Sequence, residues 1–394
     1  MRLVLTPEQR ELREAVRSFL AAASPPAKAR DGYDPAVHAR LNGELGLSGL
    51  IVPEEYGGAG AGMAELAVAL EETGAALLPG PFLATAFAAL ALTRAPDKEL
   101  LTGVAEGRIA ATLALPLVPD GLAARAEGGA VTLRGTLPRV LSGTEADVLL
   151  AALPGAPAGD GSGTQGEPSS DDGTGTPGES PGGGRAGRSS DGGPVLVAVD
   201  LGGAGVTRVP LETLDLTRGQ ARVELDGAPA RVLGRLGADG AAAVADLVAV
   251  ALAAEQLGVL RASLDAIVAY AKIRVTFGRF IGSYQGVKHK LADMHCKLEQ
   301  AESVVRHAAW AADEDPAELP HAAALAQAYV GRACFEVARD HLLLHGGVGF
   351  TWEHDAHLFY KRAKADEVLL GPPRVHRARL AALMEAGAPV AGEA

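Results

Sequence analysis

The sequence predicts an α+β fold, two helical domains around a sheet domain, on three observations. Apolar residues in the first hundred positions recur at helical spacing, as at Leu12, Val16, Phe19 and Leu20. From about Arg108 the texture changes to short runs of Val, Leu and Thr separated by Gly-containing turns. From about Ala241 to the end it is helical again. The domains expected are 1–108, 109–228 and 229–394.

At the N-terminus Thr6 suits an N-cap, Pro7 the first helical position, and Gln9 completes a capping-box spacing. The run Leu50-Ile51-Val52 leads into a break, Tyr56-Gly57-Gly58-Ala59-Gly60, followed by a helix that stops at Pro79-Gly80-Pro81. The strands expected are Ala111 to Leu117, Ala130 to Arg134, Val148 to Leu153, Val195 to Asp200 and Ala221 to Leu225, in an antiparallel sheet. Between the third and fourth lies Pro154 to Pro194, rich in Gly, Ser and Pro, with no Val, Ile, Leu, Met or aromatic residue. Such a segment cannot offset its ordering entropy by burial, so it reads as a disordered insert. The stretch from Ala241 to Arg274 is apolar on most of its circumference and should lie between other helices. Further helices are expected over Gln285 to Ala312 and Pro320 to His345.

Composition excludes several classes. With 36 Lys+Arg against 48 Asp+Glu over 394 residues, the net charge of −12 argues against binding nucleic acid through its phosphates. Two cysteines, Cys296 and Cys334, cannot build a disulfide framework, and no metal-ligand spacing occurs. The start MRLVLTPEQRELRE has no signal-peptide core. No uncharged apolar run reaches the ~18 residues of a membrane span. A soluble, cytoplasmic protein is expected.

Two segments carry most of the chemistry. Arg274, Phe277, Gly278, Gly282 and Gln285 follow the long apolar helix. A guanidinium can pair with phosphate, a phenyl ring can face an adenine or flavin, and an amide can bond a ribose or base. The same residues also fit a plain helix C-cap, with Gly278 left-handed and Arg274 paired to a carboxylate. His345-Gly346-Gly347, with Gly349 beyond, could bring backbone N–H groups to a pyrophosphate or simply turn between helices. The Tyr56–Gly60 loop is weaker, and His289, His345 and His354 are most simply hydrogen-bonding or surface histidines.

In order and spacing these segments resemble the acyl-CoA dehydrogenase family almost end to end. The stretches LGLSGLIVPEEYGGAG, YAKIRVTFGRFIGSYQGVKHKLADM and LHGGVGFTWEHDAHLFYKRAK are similar to its signatures. The resemblance implies a helical N-terminal domain, a β-barrel-like middle domain and a C-terminal four-helix bundle, with FAD between the last two. It implies that Arg274, Phe277 and Gln285 reach the FAD of a neighbouring subunit, with Gly346 and Gly347, beside His345, on its pyrophosphate side. It implies a homo- or hetero-tetramer that dehydrogenates an acyl-CoA or acyl-carrier thioester and passes electrons to an electron-transfer acceptor.

The sequence departs from that pattern where the chemistry sits. The place of the family's catalytic glutamate, in Glu-Gly-Thr, falls on Leu370-Gly371-Pro372. The alternative base position, early in the long helix, falls near Val248 and Ala249. The Thr-Glu-Pro loop becomes Ala-Leu-Pro at Ala114 to Pro116, and the tryptophan over the flavin falls near Val140. Glu367 and Glu255 are the nearest carboxylates and the candidate bases. Glu255, in a buried helix, needs a basic or amide partner or its pKa should rise. Three readings stand: a partner subunit of a heteromeric dehydrogenase, an active homo-oligomer with an unusual base, and an FAD-free scaffold for an acyl carrier.

Overall fold

The computed structural model describes residues 4–127, 129–155 and 193–387. Most of the expected insert 154–194 therefore lies outside the described residues. Five helices come first: α1 (Pro7–Ala23), α2 (Pro35–Leu45), α3 (Met63–Ala75), α4 (Phe82–Leu92) and α5 (Lys98–Ala105). The capping box at α1 forms as expected: Thr6 Oγ1 accepts from Gln9 N–H at 3.2 Å, and Gln9 Oε1 accepts from Thr6 N–H at 3.1 Å.

The sheet follows, with β1 (Ala111–Leu113), β2 (Ala123–Glu127), β3 (Ala130–Leu141), β4 (Val148–Leu153), β5 (Val195–Asp200), β6 (Val206–Pro210) and β7 (Gln220–Arg235). The order is β1-β4-β5-β7-β3-β2, with β6 also paired to β7. All pairings are antiparallel except β1 with β4, which is parallel and corrects the wholly antiparallel expectation. Strand alternation explains why β4, and β5 up to its exposed last residue Asp200, are apolar on both faces. Leu149, Ala151, Leu153, Val197 and Val199 face the sheet's own small core, around which it curls in barrel-like fashion. Leu150, Ala152, Leu196 and Ala198 face the helices and join the main core.

The expected boundary at 228 falls inside β7. Leu133 pairs with Ala228 and Arg134 with Asp226, leaving Gly227, at φ +68°, as a bulge rather than the end of the strand. The sheet ends at Arg235, and α6 (Gly237–Ile273) begins at once.

A two-strand hairpin, β8 (Val275–Thr276) and β9 (Arg279–Phe280), separates α6 from α7 (Gln285–Glu314). Then come α8 (Leu319–Leu344), α9 (Ala356–Leu369) and α10 (Pro373–Gly387). Helix α6 is the axis of the molecule. It is long and apolar enough to pass for a membrane span, yet 89% of its most apolar window is buried in the fold. It meets α3 closely enough that a Cβ on Gly258 would lie 1.8 Å from the Glu71 carbonyl oxygen.

Candidate functional site

Two places gather the residues singled out above: an open face at the ends of α6 and α8, and a cleft between sheet and bundle.

The open face begins where α6 stops. Arg274 caps the helix with extended backbone, and the chain reverses through Phe277 and Gly278, both at positive φ (49° and 78°). That pair is a hairpin turn, so Gly278 is not the helix C-cap offered as an alternative reading. A phenylalanine held in the left-handed region is strained. It is also 94% exposed, so nothing among the described residues repays that strain by burial. Phe280 beside it is half exposed. The Arg279 guanidinium lies over the Tyr284 ring at 3.7 Å, and Tyr284 Oη donates to the Thr276 carbonyl at 2.8 Å. Those contacts brace the hairpin and fix the start of α7, whose first residue is the exposed Gln285. Arg274 has no carboxylate partner among the described residues.

The end of α8 lies alongside. Gly346 turns out of the helix at φ +65°, and a Cβ on either Gly346 or Gly347 would meet nothing within 4 Å. Their backbone therefore faces open space. His345 does not: it is buried, its Nδ1 is 2.8 Å from the His341 carbonyl oxygen, and its ring packs on Tyr270 and His354 at 4.3 and 4.4 Å. It props the turn from beneath, in keeping with the reading of it as a hydrogen-bonding histidine. Since Tyr270 belongs to the last turn of α6, this stacking holds the two glycine-bearing segments together.

The Tyr56–Gly60 loop is structural. Its Ala59, Gly60 and Ala61 N–H groups donate to the carbonyls of Gly49, Val52 and Leu50.

The cleft, of about 380 Å³, is walled by Leu115, Leu141 and Leu214 on the sheet side and by Val368 and Leu369 of α9, with Arg139 at its edge. Leu370, at the place of the expected base, closes α9. Asp215 is the single carboxylate lining it among the described residues, and it is fully engaged. Its Oδ2 accepts from Arg362 Nε at 2.6 Å, and its Oδ1 accepts from the Thr217 N–H at 2.9 Å and from the Thr217 hydroxyl. Burial works to raise its pKa, but Arg362 and Arg218 hold it below the usual carboxylate value.

Neither candidate base stands free. Glu255 is buried, with Oε1 accepting from Arg362 Nη1 at 3.0 Å and Oε2 accepting from Arg218. The partner that a carboxylate in an apolar helix demands is thus present twice over. Glu367 is bonded by Lys364 Nζ at 2.7 Å, with Arg332 at 3.5 Å. It lines a separate small cavity with Arg332, Arg374 and Arg377, and the cleft is bordered by its neighbours Lys364, Ala365 and Val368.

Sequence reasoning missed Asp215, Arg218, Arg362 and Asp366, which with Glu255 make one buried charge network. A signal existed on α9. Phe359, Arg362, Ala363 and Asp366 fall at i, i+3, i+4 and i+7, so the arginine and aspartate share the buried stripe with apolar residues.

Residues 239–384 match the family described as acyl-CoA dehydrogenase, C-terminal domain, and residues 6–101 match acyl-CoA dehydrogenase, N-terminal domain. The chain is 34% identical to acyl-CoA dehydrogenase IpdE2 of Mycolicibacterium smegmatis, over 95% of this chain and 98% of that one. It is 36% identical to acyl-CoA dehydrogenase FadE34 of Mycobacterium tuberculosis, over 97% of this chain, and spans about half of that protein (49%). Among solved structures, the ChsE4–ChsE5 complex from Mycobacterium tuberculosis superposes with a TM-score of 0.81 at 26% identity, covering 99% of this chain and 100% of that one. A variant of the Tcur3481–Tcur3483 steroid ACAD gives a TM-score of 0.80 at 28% identity, covering 96% and 98%.

Proposed function

The chain belongs to the acyl-CoA dehydrogenase family, FAD flavoproteins that oxidise the CH–CH bond of acyl-CoA thioesters, and from that premise we propose that it is the partner-type subunit of a heteromeric member. The observation that carries this reading is the cleft. The single carboxylate on its wall is locked to Arg362, leucine stands where the base is expected, and Glu255 and Glu367 are both held by cations. Proton abstraction next to a thioester needs a base within reach of the α-hydrogen and donors at the carbonyl oxygen. Among the described residues this cleft offers no free base.

The open face fits the complementary task. Arg274, Phe277, Gln285, Gly346 and Gly347 are exposed, and they present a cation, a ring, an amide and backbone that no side chain covers at the two glycines. These groups would hold the FAD of the neighbouring subunit: the guanidinium on phosphate, the ring against adenine or flavin, the amide on ribose or base. Bound there, the flavin would supply the hydride acceptor. Gln285 is kept in place by the Arg279–Tyr284 brace, and Gly346 by the stacked His345. The base that takes the α-proton would be a carboxylate of the companion chain. The two structures at 26% and 28% identity are, by their names, a ChsE4–ChsE5 complex and a Tcur3481–Tcur3483 ACAD, each joining two different chains. That supports a hetero-oligomer; a cytoplasmic setting and an electron-transfer acceptor are part of the same proposal.

The test is Arg274→Ala in the assembled protein. Losing a charge-assisted bond of about 1.5–3 kcal/mol weakens flavin binding roughly 10- to 100-fold. Unchanged flavin content in the purified assembly would remove the nucleotide reading of this face.

A further inference from the structure

The charge network beneath the cleft does not balance. Among the described residues its buried part holds three carboxylates, on Asp215, Glu255 and Asp366, and two guanidiniums, on Arg218 and Arg362; the Lys361 ammonium also acts on Asp215 but is only part-buried, so water screens it. Arg362 is wholly buried. An uncompensated charge in such a place costs several kcal/mol. Neutrality therefore requires that one carboxyl keep its proton.

The bonding identifies which one. Both oxygens of Asp215 are taken, by Arg362 and by Thr217. Both oxygens of Glu255 are taken, by Arg362 and by Arg218. Asp366 uses Oδ1 to accept from Arg218, while its buried Oδ2 has no partner among the described residues. The groups facing it come from every packed element: Arg218 and Asp215 from the β6–β7 connection, Glu255 and the Gln256 amide from α6, Cys334 from α8, and Arg362 and Glu367 from α9. Cys334 stays neutral, because burial pushes its thiol well up.

We infer that Asp366 is a neutral carboxylic acid that completes a proton-dependent clasp, holding the 211–219 connection of the sheet onto α6 and α9. Its loss of the proton leaves the network with one negative charge too many, and the clasp loosens. Burial, opposed by Arg218, pushes the Asp366 carboxyl up to about 7, which puts this change near neutrality. The two walls of the cleft meet in this network. Asp215 belongs to the sheet-side wall and Arg362 and Asp366 to α9, so the spacing of the walls is coupled to the proton. This inference rests on the network alone and does not depend on the partner-subunit reading.

The experiment compares the full chain, in its purified assembly, with Asp366→Asn, which keeps the shape of the protonated acid and cannot ionise. A carboxyl with a raised folded pKa stabilises fully below its unfolded value, and that stability is lost as pH rises to the folded value. The melting temperature of the variant relative to the parent should therefore climb between about pH 4 and pH 7 and level off above. Amide protection over 211–219 and 356–369, taken relative to the intrinsic base-catalysed exchange rate at each pH, should fall in the parent above neutrality and not in the variant. A melting difference that stays flat with pH overturns the inference. Infrared spectroscopy of the parent gives a readout that needs no variant. A protonated-carboxyl stretch present at slightly acid pH and gone in alkali supports the clasp, and absence of that band at slightly acid pH overturns it.

Discussion

Arg362→Met removes the guanidinium on which the sheet–bundle contact turns. In the parent, Arg362 donates to Asp215 at 2.6 Å, to Glu255 at 3.0 Å and to the Thr217 carbonyl at 3.2 Å. Methionine fills similar space but offers no donor, so two buried carboxylates lose a cation and only Arg218 remains to serve them. Breaking a buried pair from one side costs about 3–5 kcal/mol, most of it the price of the stranded charge. Charge counting then makes a sharper statement. With Asp366 neutral, the single variant holds two anions against one cation, and adding Glu255→Gln restores one against one. The double variant should regain roughly half of the loss, a non-additivity that separates stranded charge from lost packing. Urea unfolding of parent, single and double variants, with hydrogen exchange over 211–219, reads both effects. A single variant within about 1 kcal/mol of the parent, or a double variant with simply additive losses, would refute the reasoning.

Other perturbations follow from the same geometry. Gly258→Ala places a methyl 1.8 Å from the Glu71 carbonyl and must push α3 from α6, so thermal unfolding should show a loss of about 1–3 kcal/mol or more. Glu71→Gln leaves Arg13, Arg261 and Arg306 around a neutral amide, and a similar loss of about 3–5 kcal/mol is expected in the same assay. Phe277→Ala, at an exposed and strained position, should leave chain stability within about 0.5 kcal/mol. It should weaken flavin retention in the assembly about two- to tenfold, measured by dialysis and absorbance.

The fold was legible where a single physical rule decides local structure. The Thr6 capping box, the apolar strands β4 and β5 and the long buried helix are of this kind. The short strands β2 and β6 escaped because AARAE and VTRVP lack the apolar run that marks a strand, and they exist by pairing with β3 and β7. The Asp226-Gly227 bulge resembles a turn until its partner strand is known. At the site, the sequence made plain that Glu255 needs a partner. It could not say that the partners are Arg218 and Arg362, 37 and 107 residues away, because such pairing is a product of tertiary packing. The packing of His345 on Tyr270 was hidden for the same reason: the two lie on different helices.

The central claim is that this chain completes another subunit's flavin site and lacks a working base of its own. The most direct test is the flavin spectrum of the protein purified alone and again after co-expression with a family member that carries the Glu-Gly-Thr glutamate, each titrated anaerobically with acyl-CoAs. The account predicts that the chain alone is not bleached by any thioester, while the co-purified assembly is yellow and is bleached. A chain that is yellow by itself and bleached by an acyl-CoA would contradict it.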